Sequence, residues 1–175
     1  MTNILQKFKP IKTFVFDIDG VFTDNGLLVT EQGELLRRMN ARDGYAVKKA
    51  LQEGFRIVLI TGGTSKGVAL RFQKLGVQHI YSGIENKAVV LQQFIDTHQL
   101  QREEILYMGD DLLDAAPMLM VGLATCPADA VPEVLAVAQY VSPYKGGEGC
   151  VRDVIEKVLK LQNKWLPTEQ MNVYA

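Results

Sequence analysis

The chain of 175 residues is long enough for one sizeable core and sits at the edge of what one domain holds. Its 47% hydrophobic and 22% charged residues are ordinary for a soluble globular protein, and 19 basic residues against 20 acidic ones leave a net charge of −1. No basic stripe calls for nucleic acid and no apolar run reaches membrane-spanning length, so neither partner is expected.

Residues 12–16 read as a strand that finishes on Phe14-Val15-Phe16. Residues 26–30 and 34–39 flank Glu31-Gln32-Gly33 as the arms of a hairpin. Helical spacing then runs over 43–53 and stops at Gly54, a C-terminal cap. The alternation continues with a buried strand at 56–60, a helix over 65–75 stopped by Gly76, a short strand at 79–81 and a helix over 86–98. A buried strand at 105–108, a helix over 112–120, a strand at 123–125, a helix near 131–138 and a strand at 140–142 follow, and a last helix runs over 148–162. Continuous apolar strands between amphipathic helices predict a parallel sheet covered on both faces, with ligands at the carboxyl ends of its strands. Trp165 in the short tail is expected to pack on its own body or on a neighbouring subunit.

Polar groups gather at the strand ends. Asp17-Ile18-Asp19-Gly20 follows the first strand, and strand alternation would set Asp17 and Asp19 on the same side. Two carboxylates there are costly unless a cation or a reaction needs them. They suit phosphoryl transfer, with one as nucleophile and the other as acid and base. Thr61-Gly62-Gly63 follows the strand at 56–60, where a hydroxyl and backbone N–H groups can hold phosphate oxygens or simply start a helix. Lys87 opens a helix, against the helix dipole, which points to an anion facing it. Gly109-Asp110-Asp111-Leu112-Leu113-Asp114 suits a hard cation such as Mg²⁺ and also an acid-rich helix start. Cys126 and Cys150 match neither a disulfide framework nor a metal spacing. With no signal-peptide pattern near the start, they lead to the expectation of a reduced, cytoplasmic protein.

Taken in order, these motifs resemble those of the haloacid dehalogenase-like phosphohydrolase superfamily. The run from Phe16 to Asp24, Asn40-Ala41-Arg42-Asp43-Gly44-Tyr45 and Gly146-Gly147-Glu148-Gly149-Cys150-Val151-Arg152 resemble, more closely, its 3-deoxy-D-manno-octulosonate 8-phosphate phosphatases. The resemblance implies a three-layer Rossmann-like α/β fold with a β-hairpin flap over 24–42 in place of a cap domain. It makes 1–162 one catalytic domain and 163–175 a tail. Asp17 would be the nucleophile and Asp19 the acid and base. Mg²⁺ would be held by Asp17, the Asp19 backbone carbonyl and Asp110, while Asp111 or Asp114 would hold the metal's waters or orient Lys87. Thr61, Gly62 and Lys87 would bind the phosphoryl oxygens. The flap hairpins would pair around a homotetramer whose neighbouring subunits cover each site.

Arg42 could pair with a substrate carboxylate, a task that suits its bidentate geometry. Lys66, Arg71 and Arg152 are further cations near these loops. One departure stands out: family members often carry Arg after the Thr-Gly pair, and this chain has Gly63, so the missing grip would come from Arg42, Arg152 or Lys66. The substrate implied is an acidic sugar with a terminal phosphate, of eight carbons or, in related branches, nine (2-keto-3-deoxynononate or N-acylneuraminate 9-phosphate). A receiver-like signalling module would place its lysine after the second acidic cluster, not before it. A silent assembly subunit would not need Asp17, Asp19, Lys87 and Asp110 intact.

Overall fold

The computed structural model describes residues 3–166. The chain is built around β1 (Thr13–Phe16), β4 (Arg56–Ile60), β5 (His79–Tyr81), β6 (Ile105–Met108), β7 (Leu123–Cys126) and β8 (Tyr140–Val141). They form one parallel sheet in the order β5-β4-β1-β6-β7-β8. The strands read as unbroken apolar runs because both faces are covered. Phe14 and Phe16 point to one face, where α1 (Leu5–Phe8), α2 (Ala41–Gln52), α3 (Lys66–Leu75) and α7 (Cys150–Leu161) lie. Val15 joins Val58, Ile60 and Tyr107 on the other, under α4 (Lys87–His98), α5 (Leu112–Met118) and α6 (Pro132–Val137). This is the expected three-layer α/β architecture.

Helix boundaries follow local chemistry. Asn40, Ser65 and Asn86 cap α2, α3 and α4 by accepting the backbone N–H groups of Arg42, Val68 and Val89. Asp111 and Asp114 form a capping box on α5, which ends at Met118 one residue after Pro117, shorter than the 112–120 expected. α1 is not among the elements predicted; the Asn3 side chain accepts its Leu5 N–H at 3.1 Å. The flap pairs only β2 (Leu28–Val29) with β3 (Leu35–Leu36), as an antiparallel hairpin, with Gly33 at φ +78° in its turn. Five of its apolar side chains are exposed, Leu28 at 67% and Val29 at 63%.

Trp165 is buried on its own chain, edge-on to Tyr45 and under the Arg152 guanidinium at 5.2 Å. The remainder of the expected tail, 167–175, lies outside the described residues. Among the described residues no helix is long and apolar enough to cross a membrane. The central strand β1 has β4 on one side and β6 on the other, so the connections leave it in opposite directions. The crevice at its carboxyl end is the switch point where open parallel sheets bind ligands.

Candidate active site

Three strand ends meet at that switch point. Asp17 follows β1, Thr61 follows β4 and Asp110 follows β6, and all three side chains are buried. Lys87, the first residue of α4, reaches in from the far face at 4% exposure. Its Nζ lies 2.8 Å from Asp17 Oδ2 and 2.8 Å from Asp114 Oδ1. Burial works against the ammonium, but the Asp114 and Asp17 charges outweigh it and raise the Lys87 pKa. A lysine placed against the helix dipole is thus held by two anions.

The acids divide by how fully they are satisfied. Asp114 accepts from Lys87, from the Tyr107 hydroxyl at 2.7 Å, and from the Asp110 and Asp111 N–H groups at 3.2 and 3.4 Å. Asp17 Oδ1 and Asp110 Oδ1 are buried with no partner. Ligand atoms of Asp17, Asp110 and Asp114 fall within 4.8 Å of one another. Asp114 has its lone pairs committed, so we assign it the orientation of Lys87 and leave Asp17 and Asp110 as the donors available to a cation. Two unpartnered carboxylate oxygens in one buried pocket fit a hard, oxygen-seeking ion such as Mg²⁺. Burial and the Asp114 charge push the Asp17 carboxyl up to about 7, and burial takes Asp110 up to about 6.

Glycine lets this cluster close. A Cβ on Gly20, at φ +81°, would lie 1.9 Å from Asp110 Oδ2, the oxygen that accepts from Asn25 Nδ2 at 2.8 Å. A Cβ on Gly146 would lie 2.1 Å from the Gly20 carbonyl oxygen. The Gly146-Gly147 loop packs on the backbone of the turn after Asp19, with the Gly147 N–H on the Val21 carbonyl at 3.0 Å.

Asp19 lies past the end of the strand on which that alternation was argued. β1 ends at Phe16, and the chain turns at once, with the Val21, Phe22 and Thr23 N–H groups all on the Ile18 carbonyl. Asp17 therefore faces Lys87, while Asp19 is gripped by Arg37 of the flap: Nε donates to Oδ1 at 2.6 Å and Nη2 to Oδ2 at 3.0 Å. Thr61 Oγ1 accepts the Gly63 N–H at 3.2 Å beside this pair, and Gly62 is exposed next to it. Asp111 is exposed and caps α5. Arg42 does not join the cluster. It lines a cleft of about 430 Å³ with Tyr144, Glu148 and Arg152, away from Asp17 and Lys87.

Sequence reasoning missed Arg37, Asn25, Tyr107 and Asp43. Tyr107 is the one hydroxyl in the strand Ile105–Met108, and Asp43 stands in the Asn40–Tyr45 motif, but neither pattern names a partner. Asp43 caps a helix other than its own: its Oδ1 accepts the Arg152 N–H of α7 at 2.8 Å, while Oδ2 is buried without a partner. Burial pushes this carboxyl up from 3.8 to about 6. It binds a proton more tightly folded than unfolded, so what it adds to stability is present below about pH 4 and is lost as pH rises through about 6. Asp43→Asn keeps an acceptor for Arg152 and removes the titration. Chemical denaturation at a series of pH values should show the parent losing stability relative to Asp43→Asn across that window; a constant difference contradicts the assignment.

A buried carboxylate nucleophile candidate, a lysine on it and two open cation ligands at the switch point of a doubly wound sheet define a phosphohydrolase of the haloacid dehalogenase type. No family model matches the chain. It is 37% identical over 162 residues to the 3-deoxy-D-manno-octulosonate 8-phosphate phosphatase of Yersinia pestis, covering 93% of this chain and 87% of that one. The crystal structure of the phosphatase from Yersinia pestis superposes with a TM-score of 0.90 over 93% of this chain and 88% of that one. The Moraxella catarrhalis phosphatase, solved with magnesium, phosphate and a KDO molecule, gives 0.92 at 29% identity over 100% and 99% of the two chains. The chain belongs to the 3-deoxy-D-manno-octulosonate 8-phosphate phosphatase family.

Proposed function

We propose that the protein is a Mg²⁺-dependent phosphatase that removes the terminal phosphate of 3-deoxy-D-manno-octulosonate 8-phosphate through an aspartyl-phosphate on Asp17. The observation that carries the reading is the buried Asp17, paired to Lys87 on one oxygen and unpartnered on the other, beside the unpartnered Asp110. Asp17 attacks phosphorus, the ester bond to the sugar breaks, and Asp19 gives a proton to the departing oxygen. Asp19 then takes a proton from the water that attacks the aspartyl-phosphate, which releases inorganic phosphate and restores Asp17. Lys87, Thr61 Oγ1 and the Gly62 N–H bind the phosphoryl oxygens.

In this reading Asp17, Asp110 and the Asp19 main-chain carbonyl hold Mg²⁺, which when bound neutralises the meeting of two anions and stabilises the charge of the transition state. Asp114 holds Lys87 in line. Identity to sugar phosphatases supports the enzyme over a receiver-like module or a silent subunit. Phosphate release measured across acidic sugar phosphates, with and without Mg²⁺, tests the reading. The expected result is Mg²⁺-dependent release that is fastest with the eight-carbon 8-phosphate. A preference for a nine-carbon 9-phosphate would reassign the substrate, and no release from any would remove the activity.

The assembly expected is a homotetramer in which the flap hairpins pair and a neighbouring copy covers each site. The exposed run of Leu27, Leu28, Val29, Leu35 and Leu36 supports it, because patches of this kind mark contact surfaces. Leu28→Asp with Val29→Asp should give monomers in sedimentation velocity and reduce turnover with association. Fully active monomers would contradict the arrangement. Two buried free cysteines are compatible with the reducing cytoplasm as its location.

A further inference from the structure

We infer that Arg37 of the flap is the positioning residue of the acid–base group Asp19, and that glycine at position 63 leaves room for the Asp19–Arg37 pair. The inference rests on the phosphatase reading above and concerns which residue makes Asp19 competent.

The flap strand that ends just before Arg37 is open to solvent, with Leu35 and Leu36 each 46% exposed, yet the Arg37 side chain is 7% exposed. It turns inward and is fixed at both ends of the guanidinium. Nε and Nη2 fork onto the Asp19 oxygens at 2.6 and 3.0 Å, and Nη1 donates to the Leu35 carbonyl at 3.1 Å. A planar fork of this kind fixes the orientation of a carboxylate as well as its place, which a lysine's point charge does not.

Gly63 forms the wall on the other side. Its backbone is not in the left-handed region that demands glycine. What a side chain there would meet is the pair itself: a Cβ would lie 3.1 Å from Asp19 Oδ2 and 3.2 Å from Arg37 Nη2, with Thr61 Oγ1 at 3.6 Å. Those two contacts are tighter than carbon ordinarily tolerates, so an added methyl pushes on the Nη2 arm of the fork. The cation beside Asp19 arrives from the flap. None of Arg42, Arg152 or Lys66 pairs with it.

Both Asp19 oxygens accept bonds from Arg37, so the fork fixes which lone pairs stay open to substrate and water. Delivering a proton to the leaving sugar requires one arm of the fork to open, and the longer Nη2 arm is the one that borders Gly63. Flap placement is thereby tied to the acid–base step, because a flap that shifts carries the Asp19 partner with it.

The test is a double-mutant cycle on Arg37→Ala and Gly63→Ala, with Arg37→Lys as the conservative variant. It is read as kcat and KM for phosphate release from 3-deoxy-D-manno-octulosonate 8-phosphate in Mg²⁺, with thermal midpoints recorded for each protein. Arg37→Ala should lower kcat by about 10- to 100-fold and leave KM within about twofold, since a misplaced acid–base group costs the chemical step and not binding. Arg37→Lys should fall between. Gly63→Ala should lower kcat several-fold in the parent and clearly less in the Arg37→Ala background, where the guanidinium is gone and the freed Asp19 carboxylate can give way. Parental kcat in folded Arg37→Ala protein, a rise in KM alone, or equal Gly63→Ala losses in both backgrounds would each overturn the inference. No release by the parent would instead remove the phosphatase reading on which it rests.

Discussion

Asp17→Asn protein is expected to fold, to melt no lower than the parent in chelator near neutral pH, and to release phosphate at least about 10⁴-fold more slowly. The amide cannot form the acyl-phosphate, so the loss is not graded. Stability is retained because the parent residue is costly without metal: burial and the Asp114 charge push its carboxyl up to about 7. A neutral isostere removes that burden, and Lys87 keeps Asp114 at 2.8 Å. The same substitution removes one of the two unpartnered carboxylate oxygens, so Mg²⁺ should raise its thermal midpoint less than it raises the parent's. Phosphate release and melting curves with and without Mg²⁺ measure all three effects. Turnover near the parental rate in pure, folded Asp17→Asn would refute the nucleophile assignment.

Lys87→Met has the second largest expected effect, and it acts on stability and rate together. Removing one member of a buried ion pair leaves the other uncompensated, at a cost of about 3–5 kcal/mol. Here the cost should fall near the lower end, because Asp114 retains the Tyr107 hydroxyl and two backbone N–H groups. Asp17 is the group left exposed to the loss. The rate should drop about 10²- to 10³-fold, the usual effect of removing one preorganised donor to a transition-state oxyanion. Mg²⁺ should restore part of the stability and little of the rate, because a second cation can neutralise Asp17 but does not replace the lysine on the phosphoryl oxygens. Chemical denaturation and phosphate release on the same preparation measure this. Parental values for both would remove Lys87 from the site.

These two residues were also the most legible in the sequence. Asp17 follows an apolar strand, where an unpaired acid is expensive, and Lys87 stands at a helix N-terminus, where the dipole repels it. Each was conspicuous because it conflicts with its local setting. The sheet was legible for a related reason: strands covered on both faces carry no polar alternation, and runs such as Ile57–Ile60 or Ile105–Met108 have little else they can form. Asp114 could be placed near the site but not assigned, since its role depends on a lysine 27 positions away.

Arg37 and Asp43 were illegible for a different reason. Both look like ordinary charged residues of a hairpin and a helix. What singles them out is a partner supplied by the folded chain, Asp19 across 18 positions and the Arg152 N–H across 109. Asn25, in the left-handed region at φ 61°, is a plausible turn residue by sequence, and only the fold brings Asp110 to its amide. Strand alternation does not reach Asp19, because β1 stops at Phe16.

Acid quenching of the enzyme during turnover, followed by mass mapping of its peptides, tests whether a covalent bond to the first acid after β1 exists at all. A phosphoryl mass on the peptide containing Asp17, present only with substrate and Mg²⁺, is the predicted result. Trapped phosphate on another residue would contradict the account.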